Sequence, residues 1–203
     1  MTASNKSARE PGGRLVRRFV QLLVGLALYG FSVTLMVEAT LGLDPWDVLH
    51  QGLAEVTGLS FGWVMIGTSA VVLLAWIPLR QRPGVGTLCN AVLVGLAAEV
   101  FLAVLPTPTG LPVRIAFLLS GVLLNGVATG MYIGARLGPG PRDGLMTGYV
   151  ALRPGRSVRL VRTVIEVTVL SAGWLLGGTG ERAVLPGGLA VAAGAEAGDR
   201  LGV

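Results

Sequence analysis

The chain has 203 residues, of which 52% are hydrophobic and 13% charged, with a formal net charge of +5. A soluble domain carries about 25% charged residues, so this composition excludes an ordinary water-soluble globule. One cysteine, Cys89, and one histidine, His50, leave no internal disulfide and no histidine cluster for zinc or haem.

In chain order, residues 1–13 are polar and basic and are expected to form a disordered cytoplasmic tail. Residues 14–37 read as a first helix whose stretch 19–37 has no charged side chain. That run exceeds the roughly 7–15 apolar residues of an export signal, and no small-x-small cleavage site follows it. It is therefore read as a retained span. Residues 60–79 and 115–135 are likewise free of charge, and about 20 apolar residues suffice to cross the hydrocarbon core. Three weaker spans are expected. Residues 85–105 carry Asn90 and Glu99, and residues 158–177 carry Arg159, Arg162 and Glu166. Residues 183–198 are rich in glycine and alanine, interrupted by Pro186 and ended by Asp199 and Arg200.

Six spans place fourteen of the sixteen Lys and Arg residues on one side, with only Arg114 and Arg182 on the other. Basic loops stay in the cytoplasm, so both termini are expected inside the plasma (inner) membrane. Arginine outnumbers lysine fifteen to one, which points to a bacterial source. The positive charge then belongs to the cytoplasmic face and anionic lipid, and calls for no nucleic acid.

One stretch is written twice. "LGLDPWDVL" at 41–49 and "LGPGPRDGL" at 137–145 share Leu-Gly and then Pro-x-Asp-x-Leu at an offset of 96. The same offset matches Leu22, Leu23, Gly25, Leu28, Gly30 and Ala39 to Leu118, Leu119, Gly121, Leu124, Gly126 and Ala135. After a one-residue gap, Gly58 and Ser60 match Gly155 and Ser157. Two halves follow, 14–105 and 106–203, in one membrane domain. Each has three spans, so the second enters from the opposite face. The expected fold is all-α, with about six transmembrane helices as two inverted three-helix repeats.

Each motif also opens a short helix. Asp44 is placed as an N-cap, Pro45 in the first turn, where its missing N–H costs nothing, and Asp47 against the positive helix end. Trp46, Leu49, Leu53 and Val56 share one face, with a stop near Gly58. Gly140, Pro141 and Asp143 repeat the pattern, with Leu145, Tyr149 and Leu152 as the face. At about 13 residues neither crosses a bilayer. Each is a re-entrant or an interfacial helix.

These turns, the glycine-rich first and fourth spans and the length resemble the YitT/YczE group of bacterial membrane proteins, in its short, YczE-like branch. The resemblance implies a fold and a location, and no reaction.

Candidate binding or gate residues are Pro45, Trp46, Asp47, Pro141, Arg142 and Asp143 of the turns, together with Glu99 and Glu166. Helix N-termini offer free N–H donors to an anion, and acids inside a membrane mark proton or substrate paths. The plainer alternatives are helix-start acids and snorkelling side chains. Glu38 is expected at the interface, Asn90 and Asn125 between helices, and Trp63, Trp76 and Trp174 as interface anchors. "GPGPRDG" lacks the Lys-Ser/Thr of a phosphate-binding loop, and no nucleophile–base set assembles. No enzyme, cofactor or metal is expected. The leading expectation is a transporter or channel for a small solute. The rivals are an accessory or scaffold that binds partner proteins or a second copy, and a substrate-capturing subunit of a larger transporter.

Overall fold

The computed structural model describes residues 11–152 and 157–178, and the protein is helical throughout these, with no strand among them. Seven helices follow in order: α1 (Pro11–Ala39), α2 (Pro45–Thr57), α3 (Phe61–Ala75), α4 (Val85–Val104), α5 (Leu111–Gly134), α6 (Pro141–Leu152) and α7 (Val158–Leu175). α1 begins inside the stretch expected as a tail, and residues 1–10 lie outside the described residues. The expected last span, 183–198 with Glu196, also lies outside them.

Among the described residues, three helices are long and apolar enough to cross a membrane: α1 from Arg14, α4 and α5. α2 and α3 count as a fourth only if taken together, and they are bent by 110° at their junction. The expected span 60–79 is thus shorter as a helix. Beyond Ala75 the chain tightens, with Trp76, Ile77 and Arg80 donating to carbonyls three residues back. Pro78 stands within that turn and has no N–H to continue a helix. α7 contains Arg159, Arg162 and Glu166 and does not qualify as a span by length and composition.

α1 packs along α5 and α4, α2 along α7, and α3 along α4, with α6 touching α3, α7 and α4. The larger core joins Leu22, Leu26, Val33 and Met36 of α1 to Phe61, Met65, Val94 and Tyr132. A smaller one forms around Trp46, Val72 and Trp76. Close approach of α1 and α5 depends on glycine, since lipid is as apolar as leucine and helices associate in it by packing.

Residues related by the offset make the same contacts with roles exchanged. A side chain on Gly25 would meet Ala128, Met131 and Tyr132, while one on Gly121 would meet Ser32, Leu35 and Met36. Each number in the second set is 96 from one in the first. Arg18 donates to the carbonyls of Ala135 and Arg136 at 2.6 Å each. Its counterpart Arg114 donates to those of Ala39 and Thr40 at 2.9 and 2.7 Å. Both arginines thereby satisfy the orphan carbonyls of the other helix's last turn. Positive φ angles recur in step: Thr40 and Arg136 at 52° and 53°, Gly42 and Gly138 at 148° and 136°. Past the gap the offset is 97. Gly144 lies against Trp76, and Gly173 lies against Val48 and Leu49. α1 and α5 are consequently antiparallel, the start of each lying at the end of the other. Arg114, one of the two basic residues expected away from the others, is thus occupied as a helix cap.

Candidate functional site

The two Pro-x-Asp turns meet. Asp44 caps α2 as expected, its Oδ1 accepting from the Asp47 backbone N–H at 2.9 Å. From the second turn, Arg142 reaches Asp44 Oδ2 at 3.6 Å and Asp47 Oδ1 at 3.7 Å. Its guanidinium lies over the Trp46 indole, 4.9 Å from the ring centroid. Asp47 is fully buried and also holds His50 Nδ1 at 3.2 Å, while His50 stands edge-on to Phe61.

The second turn is tied from three sides. Trp76 Nε1 donates to the Pro141 carbonyl at 3.0 Å. Thr87 Oγ1 donates to the Pro139 carbonyl at 2.7 Å, and the Gly86 N–H bonds to Leu137 at 2.9 Å. Tyr132 donates its hydroxyl to Asp143 Oδ2 at 2.8 Å and packs edge-on against Tyr29, 6.1 Å between ring centroids.

The meeting point lies well away from the ends of α1 and α5. Arg18 and Ala39 are 21 residues apart on α1, on the order of 30 Å at 1.5 Å per residue. Arg18 marks the level of Ala135 and Arg136, where the second connector begins. Asp44 follows Ala39 by five residues and Arg142 follows Ala135 by seven, yet they approach to 3.6 Å. Both connectors therefore turn back along the helices toward their middle.

Around this point lies a cavity of about 560 Å³, within the size range of small-molecule sites. Offset counterparts line it in pairs: Tyr29 with Asn125, Pro45 with Pro141, Trp46 with Arg142, Met65 with Arg162 and Ser69 with Glu166. Charges of both signs, Asp44, Arg142 and Asp143, line it and give the cavity the means to orient a small polar solute.

Seven of the eight expected site residues gather here: Pro45, Trp46, Pro141, Arg142, Asp143 and Glu166 line the cavity, and Asp47 backs it through Arg142. Glu166 pairs with Arg162 at 2.7 Å. Glu99 stands apart, its Oε2 accepting the Gly62 N–H in the first turn of α3 at 3.0 Å. Asn125 makes the expected polar contact between helices, donating to Ser32 Oγ of α1 at 3.2 Å, and Asn90 and Asn125 both line the cavity. Trp76, expected as an interface anchor, is buried at 2% exposure because its N–H is spent on Pro141. Glu38, expected at the interface, is also buried. Sequence reasoning missed Asp44 as a partner of Arg142, and missed Tyr29 and Tyr132. The tyrosines carried a signal, a polar tip inside an otherwise apolar span.

Residues 16–184 match a family described as Family of unknown function (DUF6198). The chain belongs to DUF6198. This DUF6198 chain is similar to an uncharacterized protein of Haemophilus influenzae, with 41% identity over 77% of this chain and 72% of that one. It is similar also to the uncharacterized membrane protein YczE of Bacillus subtilis, 36% identical over 81% of this chain and 77% of YczE. YyaS of the same organism is 25% identical over 72% of this chain and 75% of its own length. No solved structure matches the chain. The likeness to YczE is the one expected from the turns. Together with its apolar helices, it makes the chain a helical membrane protein.

Proposed function

We propose that this DUF6198 chain is a small-solute transporter or channel of a bacterial plasma membrane, with the paired Pro-x-Asp turns as its binding or gating element. It is a carrier without catalytic chemistry or cofactor, built from two inverted three-span halves with both termini in the cytoplasm. The exchanged contacts of α1 and α5 support the inversion, as does the placing of fourteen basic residues on one side. The turns are re-entrant in this reading. Interfacial helices on opposite faces would be held apart by about 30 Å of hydrocarbon, whereas Asp44 and Arg142 are 3.6 Å apart.

One observation carries the proposal: a single cavity is lined by both turns, Pro45–Trp46 and Pro141–Asp143, which approach it from opposite ends of the α1–α5 pair. Known secondary transporters place their substrate near the midplane at the interface of inverted repeats, where broken helices point their N-termini at it. α2 and α6 point theirs here. Arg142, Asp44 and Asp143 would orient the solute, with Trp46, Tyr29 and Tyr132 as its walls.

The test is uptake of a panel of radiolabelled small polar solutes into proteoliposomes, comparing the wild type with Asp47→Asn and Asp143→Asn. Flux of at least one solute, reduced by both substitutions, is expected. Flux indifferent to both removes the turns from the mechanism.

A further inference from the structure

On one face of α5 the exchanged contacts fail. On α1, Leu26, Gly30 and Thr34 are all buried, and α4 is what covers the last two. A Cβ on Gly30 would meet Ala97 Cβ at 2.5 Å and the Ala98 nitrogen at 2.9 Å. Thr34 Oγ1 lies 3.3 Å from the Ala98 carbonyl. The counterparts on α5 are Val122, Gly126 and Gly130, and all three are exposed. Nothing lies within 4 Å of a Cβ built on Gly126 or Gly130. Of the most apolar window of each helix, 56% is buried in α1 and 11% in α5. Two glycines one turn apart on an apolar helix favour close helix association in a membrane, and this pair has no neighbour among the described residues.

We infer that residues 182–201, outside the described part of the chain, pack on the Gly126–Gly130 face of α5 as α4 packs on the Gly30–Thr34 face of α1. Three observations select this occupant over lipid or a second copy. First, the segment stands at α4's place in the repeat: at offset 97, Val94, Ala98 and Glu99 correspond to Val191, Ala195 and Glu196. Second, the chain is delivered there. The described residues end at Gly178, the counterpart of Gln81, and both repeat the same turn, Gly178 N–H to Gly173 and Gln81 N–H to Trp76. Arg80 and Gly177 in these turns both take positive φ, 53° and 98°. Third, its composition suits a glycine surface, with Gly187, Gly188, Ala190, Ala192, Ala193 and Gly194 in sequence.

The register follows from a charge. Glu99 accepts the Gly62 N–H in the first turn of α3, where the cap residue Ser60 makes no side-chain bond. α7 starts in the same condition, its cap Ser157 making none. Glu196 takes the equivalent amide of α7. That accounts for an acid within an apolar segment, where an unpaired carboxylate is expensive.

Disulfide trapping in native membranes tests this, in a Cys89→Ala background. Gly126→Cys with Gly194→Cys recreates the Gly30–Ala97 contact, and Gly67→Cys with Gly194→Cys is the control, since Gly67 is exposed with nothing within 4 Å. Oxidation is expected to link the first pair within one chain and leave the control open. If Gly126→Cys does not fold, Gly130→Cys with Ala195→Cys reads the same face. Linkage only between two chains overturns the inference in favour of a second copy. Yield no higher than the control overturns it in favour of lipid. The inference rests on the contacts between halves and not on transport, so trapping fails or succeeds independently of any flux.

Discussion

Arg142 stacks on Trp46, and the two are the same position of the two halves, 96 residues apart. In the proposed inverted arrangement, a residue that touches its own counterpart marks where the pseudo-two-fold would pass. Two arginines there would repel, and two tryptophans would leave Asp44 and Asp47 without a cation. The two turns differ at a point where identity would be unfavourable. Removing the charge by Arg142→Gln strands two carboxylates, one of them fully buried. Breaking a buried ion pair on one side costs about 3–5 kcal/mol. The cost here should fall at or below the lower end, because Arg142 is 24% exposed and Asp44 36%. Arg142→Lys keeps the charge and loses the planar stack, for about 0.5–1 kcal/mol. Thermal unfolding in detergent should rank wild type, Arg142→Lys and Arg142→Gln in that order. Equal melting of the two variants would remove the ion pair from the account.

The arginine caps give a second expectation. Arg18 and Arg114 each donate twice to the closing carbonyls of the other's helix. A cation at a helix C-terminus is worth about 0.3–2 kcal/mol. Arg18→Gln and Arg114→Gln should lower the melting temperature by similar amounts, and the double variant by their sum, since the two sites lie at opposite ends of α1. Arg114→Gln should leave the orientation of a reporter fused to the C-terminus unchanged. A markedly larger effect at one arginine would contradict the equivalence of the two ends.

Glycine supplies a third. At Gly144 a Cβ would fall 1.9 Å from the Trp76 ring, and that ring cannot retreat without giving up its bond to Pro141. Overpacking of this kind costs about 1–3 kcal/mol or more. Gly67 is exposed, with nothing within 4 Å of an added methyl. Gly144→Ala should therefore reduce the yield of monodisperse protein in detergent, and Gly67→Ala should not. Normal yield from Gly144→Ala would show that the α3–α6 contact is looser than described.

Much of this was legible from residue patterns. Charge-free runs located α1 and α5, and Asp44, Pro45 and Gly58 marked the bounds of α2 correctly. Of the glycines matched at the offset of 96, Gly25, Gly30 and Gly121 sit at helix contacts, while Gly126 has no neighbour among the described residues. What the pattern left open was the direction of the short helices. On the apolar face of α2, Trp46 is buried and Leu49 packs on the smaller core, yet Val56 is exposed, while Asp47, His50 and Gln51 are buried as well. α6 repeats this, with Tyr149 and Leu152 exposed. Periodicity finds a two-sided helix without saying which side faces in, and the rule for water inverts where the surroundings are hydrocarbon. Trp76 was misplaced for a related reason: a tryptophan at a helix end suits either an interface or a buried carbonyl, and only the fold supplies Pro141. The meeting of Asp44 with Arg142 was beyond local pattern, because it depends on how far two connectors turn back.

The last prediction concerns sidedness. α2 begins at the meeting point near the middle of the α1–α5 pair and ends at Thr57, and α6 begins at the same point and ends at Leu152. Both end residues are exposed. Helices of 13 and 12 residues are about 20 and 18 Å long at 1.5 Å per residue, enough to run from the midplane to a surface. In a Cys89→Ala background, Thr57→Cys should react with a membrane-impermeant maleimide added outside intact cells, and Leu152→Cys only after the membrane is opened. Arg142→Gln should not alter this pattern, since sidedness is set by the basic loops and not by the ion pair. Labelling of both cysteines from one compartment would place the two turns on the same face, and the inverted arrangement would have to be abandoned even though the contacts between the halves remained.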